Sequence, residues 1–291
     1  MESTSRGDPG DEEAVVEQRR THSATTADGV DIRGTVRGHG PALVLLQGVI
    51  GDCDLDWDRT VDHLVDRFTC HLPSMRGRGL SGDHADLGLD RLIDDMVDYI
   101  ESVGEATGLT GWSSGGSWAL AATARSKAVS AAAPFEPGML NQTDAADQAL
   151  MGGAINRAAD LVAAGDGAAA ARAFAAFPFY DQEIATAADG GYFEAAGGYV
   201  PHLLQVLQRA MASQDPTSDP AVLGAVDVPV AVLVGSATKP FFTRSAQYVV
   251  DHVPHARVEE IHGAAHAAPL THPAALADAL ADFFQTAQQP A

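Results

Sequence analysis

Lysine is almost missing from this chain. Lys127 and Lys239 are the only two, and 18 basic residues face 39 acidic ones, for a formal net charge of −21. A surface of that sign repels phosphate backbones and anionic lipid headgroups, so neither nucleic acid nor a membrane is expected as a partner. Cysteine is equally scarce. Cys53 and Cys70 cannot build the framework of a disulfide-stabilised secreted domain in 291 residues. No Cys or His spacing suggests a metal site, and neither metal nor cofactor is expected. Cys70, inside FTCHL, reads as a small core residue, and Cys53 as a loop residue following a strand. Long apolar runs are absent too, since none approaches the roughly 18 residues that cross a bilayer. From Met1 to Arg20 the chain lacks the basic start and apolar stretch of a secretory signal, which places it in the cytoplasm.

What is present is an ordinary apolar fraction, 46 %, in a chain long enough for one large α/β domain. Residues 1–16, rich in Ser, Gly, Pro and acid, read as a disordered tail. Gln18 to Thr26, the turn Ala27-Asp28-Gly29 and Val30 to Val36 read as a hairpin. ALVLL, after Pro41, is a short continuous apolar run of the kind that forms a strand buried on both faces. Strands at Phe68–Leu72, Thr107–Trp112, Val129–Phe135, 228–235 and Ala256–Ile261 alternate with helices at Leu55–Asp66, Leu92–Val103, Ser114–Arg125, Arg244–His252 and Pro273–Thr286. That alternation predicts a doubly wound, mostly parallel sheet. The core is thus assigned to 17–136 and 228–288. Residues 137–227, rich in Ala and Gly and without strand patterning, form a helical cap inserted before the penultimate strand.

Gly111-Trp112-Ser113-Ser114-Gly115 matches G-x-S-x-G between a strand and a helix. A serine on such a sharp turn needs small residues two before and two after it, which Gly111 and Gly115 supply. Taking Ser114 as nucleophile would put Trp112 in a crowded place, so Ser113 is the candidate. Its base is sought after the last strand, at the carboxyl edge where ligands gather. His266 in Gly263-Ala264-Ala265-His266 fits best, with His262 and His272 as rivals. Ser114, the residue after the nucleophile, is expected to lend its N–H to an oxyanion hole.

LLQGVIG, GWSSGG, VLVGSATKP and IHGAAHAAPLTHP together resemble the α/β-hydrolase superfamily over nearly the whole chain after residue 17. Three departures stand out. Gln47-Gly48 replaces the usual His-Gly, Ser74 replaces the usual Asp before the R-G-x-G segment, and Thr238 stands where the acid normally follows strand 228–235. Some members of the superfamily carry the acid one strand earlier, which here implies Glu136. With the serine pair at the elbow and the GVIGDC segment, this looks most like the zearalenone-lactonase group. The cap does not match that group, so its substrate is not carried over. The resemblance implies a second oxyanion donor at Gly48, as in the lactonases, or at Val49, the usual superfamily place; both stay open.

Seven aromatics, Phe174, Phe177, Phe179, Tyr180, Tyr192, Phe193 and Tyr199, crowd the cap. Phe177, Phe179, Tyr180 and Trp112 are the candidates for substrate contact, the rest for the cap's own core. The run Asp52, Asp54, Asp56 and Asp58 lacks the glycine and terminal glutamate of a calcium loop and reads as a solvated, helix-capping stretch. The expected chemistry is hydrolysis of a small apolar carboxylic ester or lactone through an acyl-enzyme on Ser113, with His266 as base and Glu136 as its orienting acid. A carbon–carbon bond hydrolase on the same triad is the alternative enzyme, and a non-catalytic ligand-binding homologue the alternative of another class. The oligomeric state stays open between monomer and homodimer.

Overall fold

The chain enters the fold through the predicted hairpin. In the computed structural model, which describes residues 19–212 and 215–287, β1 (Arg20–Thr25) pairs antiparallel with β2 (Asp31–Gly38). The tail assigned to 1–16 lies outside the described residues. β3 (Ala42–Leu46) is buried at every position. Then follow α1 (Cys53–Val61), β4 (Thr69–Pro73), α2 (Leu89–Ser102), β5 (Thr107–Gly111), α3 (Ser114–Arg125) and β6 (Val129–Ala132). Strands run in the order β1-β2-β4-β3-β5-β6, with β3, β4, β5 and β6 mutually parallel.

After β6 the described chain turns helical: α4 (Ala145–Ala163), α5 (Gly167–Ala175), α6 (Asp181–Asp189), α7 (Tyr192–Ala196), α8 (Val200–Ala212) and α9 (Pro220–Leu223). β7 (Ala231–Gly235) returns to the sheet through parallel bridges Ala132–Val230 and Phe135–Leu233. α10 (Pro240–His252), β8 (Arg257–Ile261), α11 (Ala268–Thr271) and α12 (Pro273–Ala287) complete the described chain, β8 lying parallel to β7. α10 begins earlier than the apolar period suggests because Pro240, with its fixed φ, suits the first helical turn.

The alternation of β3 shows how both faces are covered. Leu43 and Leu45 pack with Trp57 of α1 and Leu276, Leu280 and Phe284 of α12. Val44 and Leu46 pack with Ile93 and Met96 of α2 and Ala119 and Ala122 of α3. This is the two-sided burial that the continuous apolar run called for. Parallel strands with helices on both faces bring their carboxyl ends to one edge. There lie the loop 47–52, the Trp112–Ser113 turn, Glu136 and the loops after β7 and β8.

Cys53 departs from expectation. It is not a loop residue but the first residue of α1, fully buried, with its thiol hydrogen-bonded to the carbonyl of Pro73. Asp52 is the N-cap, accepting from the Leu55 N–H at 2.9 Å, and so starts the helix two residues before Leu55.

Candidate active site

Ser113 sits between β5 and α3 with φ 58° and ψ −121°, a conformation that costs a non-glycine residue on the order of 1–3 kcal/mol. The turn closes because of its two flanking glycines. A Cβ on Gly111 would collide with the Gly115 carbonyl, and one on Gly115 with the Gln47 carbonyl. The serine is held by its own backbone: its N–H donates to the Phe135 carbonyl at 3.0 Å and its carbonyl accepts from Gly138 at 3.2 Å.

His266 follows β8 and is buried, lining the same cavity as Ser113. Its Nδ1–H donates to Glu136 Oε2 at 2.7 Å. Glu136, just past β6, is fully buried and has a left-handed backbone (φ 43°). Its Oε1 accepts from the Gly235 N–H at 2.9 Å, and its Oε2 also accepts from the Thr238 hydroxyl at 2.8 Å. The residue standing where the usual acid is missing therefore supports the carboxylate that stands elsewhere. Phe242, on α10, stacks on the imidazole with centroids 3.7 Å apart and planes 11° from parallel. The Trp112 indole N–H donates to the His266 carbonyl at 2.8 Å. Ring and backbone of His266 are thus both fixed. The rival histidines, His262 and His272, are exposed and do not line the cavity.

The loop after β3 is pinned from three sides. Gln47 Nε2 and Arg78 Nη1 each donate to the Gly51 carbonyl at 2.6 Å. The Gly48 N–H donates to Asp56 Oδ2 at 2.7 Å. The N–H groups of Val49 and Ser114 bond to no group among the described residues. Asp56 is buried, and burial pushes its carboxyl up to about 7. Its Oδ1 accepts from the Tyr192 hydroxyl at 2.8 Å, so one carboxyl joins the loop to the cap. Gly51 is required here for Asp56 rather than for a ligand, because a Cβ at 51 would strike that carboxyl.

The solvated reading of the acidic run is therefore wrong for Asp56. A signal was present: Cys53, Trp57 and Val61 form the buried stripe of α1, and Asp56 falls within it. The cap residues divide as well. Phe179 stacks parallel to Trp112 with centroids 5.9 Å apart, and both line the cavity with Ser113. Phe177 lines a neighbouring cavity that also reaches Ser113. Tyr180 does not line either of them. It is exposed at the start of α6, its ring under the Lys239 ammonium, which is itself held by the Phe177 carbonyl at 2.7 Å. Phe174 and Tyr192 stand at the cavity instead, although the sequence assigned them to the cap's own core.

The model of the alpha/beta hydrolase family matches residues 39–279. The chain belongs to that family. Its fold superposes on an alpha/beta hydrolase from Sphaerobacter thermophilus with a TM-score of 0.73 at 25% identity, covering 90% of this chain and 100% of that one. An esterase from Rhodococcus sp. ECU1013 gives 0.72 at 20% identity, covering 91% and 98%. The enol-lactonase from Burkholderia xenovorans LB400 gives 0.71 at 17% identity, covering 91% and 100%. These two likenesses speak to fold alone. No curated protein matches the sequence. This hydrolase-family chain presents its candidate residues on the turn after β5 and on loops at one sheet edge. No helix among the described residues is long and apolar enough to cross a membrane.

Proposed function

We propose that this chain is a serine hydrolase that cleaves a carboxylic ester or lactone through an acyl-enzyme on Ser113. The observation that carries the reading is the 2.7 Å bond from His266 Nδ1 to the buried Glu136, with His266 and Ser113 lining one cavity. A carboxylate on Nδ1 holds the tautomer whose Nε2 can take the Ser113 proton, and it stabilises the imidazolium that results. Ser113 Oγ attacks the acyl carbon and His266 passes the proton to the leaving oxygen; water, giving its proton to the same base, then attacks the acyl-enzyme, and the acid leaves as Ser113 Oγ takes the proton back. Val49 and Ser114 supply the N–H groups that meet the oxyanion. Gly48 is set aside as donor because its N–H is engaged by Asp56.

A glutamate after β6 supported by a threonine after β7 also favours a likeness to the zearalenone-lactonase group within the family. The non-catalytic alternative requires Glu136 beyond reach of His266, and the observed bond speaks against it. The test is steady-state turnover of a panel of activated esters and lactones. Turnover dependent on Ser113 supports the reading. A protein whose Ser113 is reactive but which leaves the whole panel intact points to carbon–carbon bond cleavage instead.

Thr238→Val removes one donor from the Glu136 carboxylate while keeping shape. A hydrogen bond to a charged group is worth about 1.5–3 kcal/mol, only part of which changes between ground and transition states. The variant is expected to lose roughly 3- to 10-fold in kcat at unchanged KM, read from initial rates on one p-nitrophenyl ester.

A further inference from the structure

Two cavities meet at Ser113, and they differ in kind. The first is bordered by His266 and by the rings of Trp112, Phe174, Phe179 and Tyr192. The second touches Ser113 and Ser114 but not His266, and runs between Met151, Phe177, Leu207 and Phe241. Val49, Ser114, Gly138, Leu140 and Leu207 border both it and a third cavity, which reaches Ala210 and Asp215. The second and third are therefore contiguous and form one channel. The first and second share Val49, Ser113, Phe174 and Pro178 and are otherwise bordered by different side chains. Among the described residues, His266 is the only titratable side chain apart from Tyr192 lining the first cavity. None lines the second, and Asp215 alone carries charge in the third.

Bond cleavage gives these spaces different roles. The leaving oxygen must receive its proton from His266, so the leaving group lies on the side of the imidazole. The acyl oxygen must lie between the Val49 and Ser114 N–H groups, which leaves the acyl chain to continue on the Ser114 side. We propose that this chain prefers neutral open-chain esters, with a compact alcohol or phenol in the aromatic pocket and an extended apolar acyl chain in the Leu140–Leu207–Ala210 channel. This rests on the serine-hydrolase reading and goes further by choosing open-chain esters over lactones. In a lactone the acyl and alcohol ends are tied together, whereas here the spaces that would hold them leave Ser113 between different side chains, Phe179, Tyr192 and His266 on one side and Met151, Phe177 and Leu207 on the other. Asp215 at the far end opposes an acyl chain that ends in a carboxylate.

The test compares isomers. Methyl octanoate and heptyl acetate have the same formula and nearly the same hydrophobicity, so any difference in kcat/KM reads orientation in the site. Methyl octanoate is expected to be the better substrate by at least about tenfold. Across the methyl esters from acetate to octanoate, kcat/KM is expected to rise by up to about fourfold per methylene. Leu207→Trp narrows the channel, and Leu207→Phe does so more gently should the larger ring disturb folding. Each is expected to lower the octanoate-to-acetate ratio, the tryptophan by at least about tenfold. Preference for heptyl acetate, a flat methyl-ester series, or faster turnover of δ-nonalactone than of methyl octanoate overturns the assignment of the cavities while leaving the hydrolase reading intact. Failure to cleave any ester, p-nitrophenyl acetate included, overturns both.

Discussion

Glu136→Ala is expected to lower kcat/KM by roughly 10³- to 10⁴-fold, the order seen when the acid of a serine triad is disabled. The reason is local. His266 Nδ1 bonds to this carboxylate at 2.7 Å, inside a buried shell closed by Phe242 and Trp112. Without the carboxylate nothing selects the tautomer that leaves Nε2 free, and the imidazolium formed on attack has no counter-charge. Three donors converge on this carboxylate, from Gly235, Thr238 and His266, and each loses its acceptor in the variant. A stability loss of a few kcal/mol is therefore expected as well, at about 1–3 kcal/mol for each group left unsatisfied. Thermal melting separates the two effects, because rates are compared where the variant is still folded. Adding Thr238→Asp to Glu136→Ala puts a carboxylate on a residue whose hydroxyl lies 2.8 Å from the lost oxygen. The double variant is expected to recover about tenfold or more in kcat/KM, consistent with the role of the acid. A Glu136→Ala enzyme that stays within tenfold of wild type contradicts the assignment.

Asp56→Ala is expected to lower kcat by about 10²-fold, the lower end of what loss of one oxyanion donor costs. Asp56 touches no reacting atom. It holds the Gly48 N–H and so sets the direction of the next peptide, the one bearing the Val49 N–H. Asp56→Asn keeps an acceptor for Gly48 and offers a donor to the Tyr192 oxygen, so it is expected to restore most of the rate. The same pair of proteins separates stability. Burial pushes the Asp56 carboxyl up to about 7, against an ordinary value near 3.9 in an unfolded chain. Between those values the folded protein holds a proton that the unfolded chain has released. The contribution is complete below about pH 4 and is lost as pH rises through about 7, where a charge must be carried inside. A shift of about 3 units corresponds to about 4 kcal/mol. The stability of wild type relative to Asp56→Asn is thus expected to fall between pH 5 and pH 8 and to level off above. Parallel stability curves across that range contradict the account of Asp56.

Part of this site is legible in the sequence. ALVLL suits a strand covered on both faces, and Gly111 and Gly115, set between a strand and a helix, suit a turn too tight for side chains; both are found so. Glu136 is reached only through the resemblance to the superfamily, some members of which carry the acid one strand earlier when, as with Thr238 here, it is missing from its usual place. Asp56 was misjudged because its neighbours Asp52, Asp54 and Asp58 disguise it as part of a charged run. What makes it internal is a tyrosine 136 residues away, a partner that no local pattern supplies. The cap is legible only in part, for a related reason. Its aromatic content was plain, but which rings face Ser113 depends on how short helices pack, and Tyr180 is turned outward by Lys239 while Tyr192 is turned inward by Asp56.

The central claim, a nucleophilic Ser113 served by His266 and Glu136, is tested most directly by labelling with a fluorophosphonate probe followed by peptide mapping. Wild type is expected to label on Ser113 alone, Ser113→Ala not at all, and Glu136→Ala far more slowly than wild type. Labelling on Ser114, no labelling of a folded wild type, or equal rates for wild type and Glu136→Ala would contradict it.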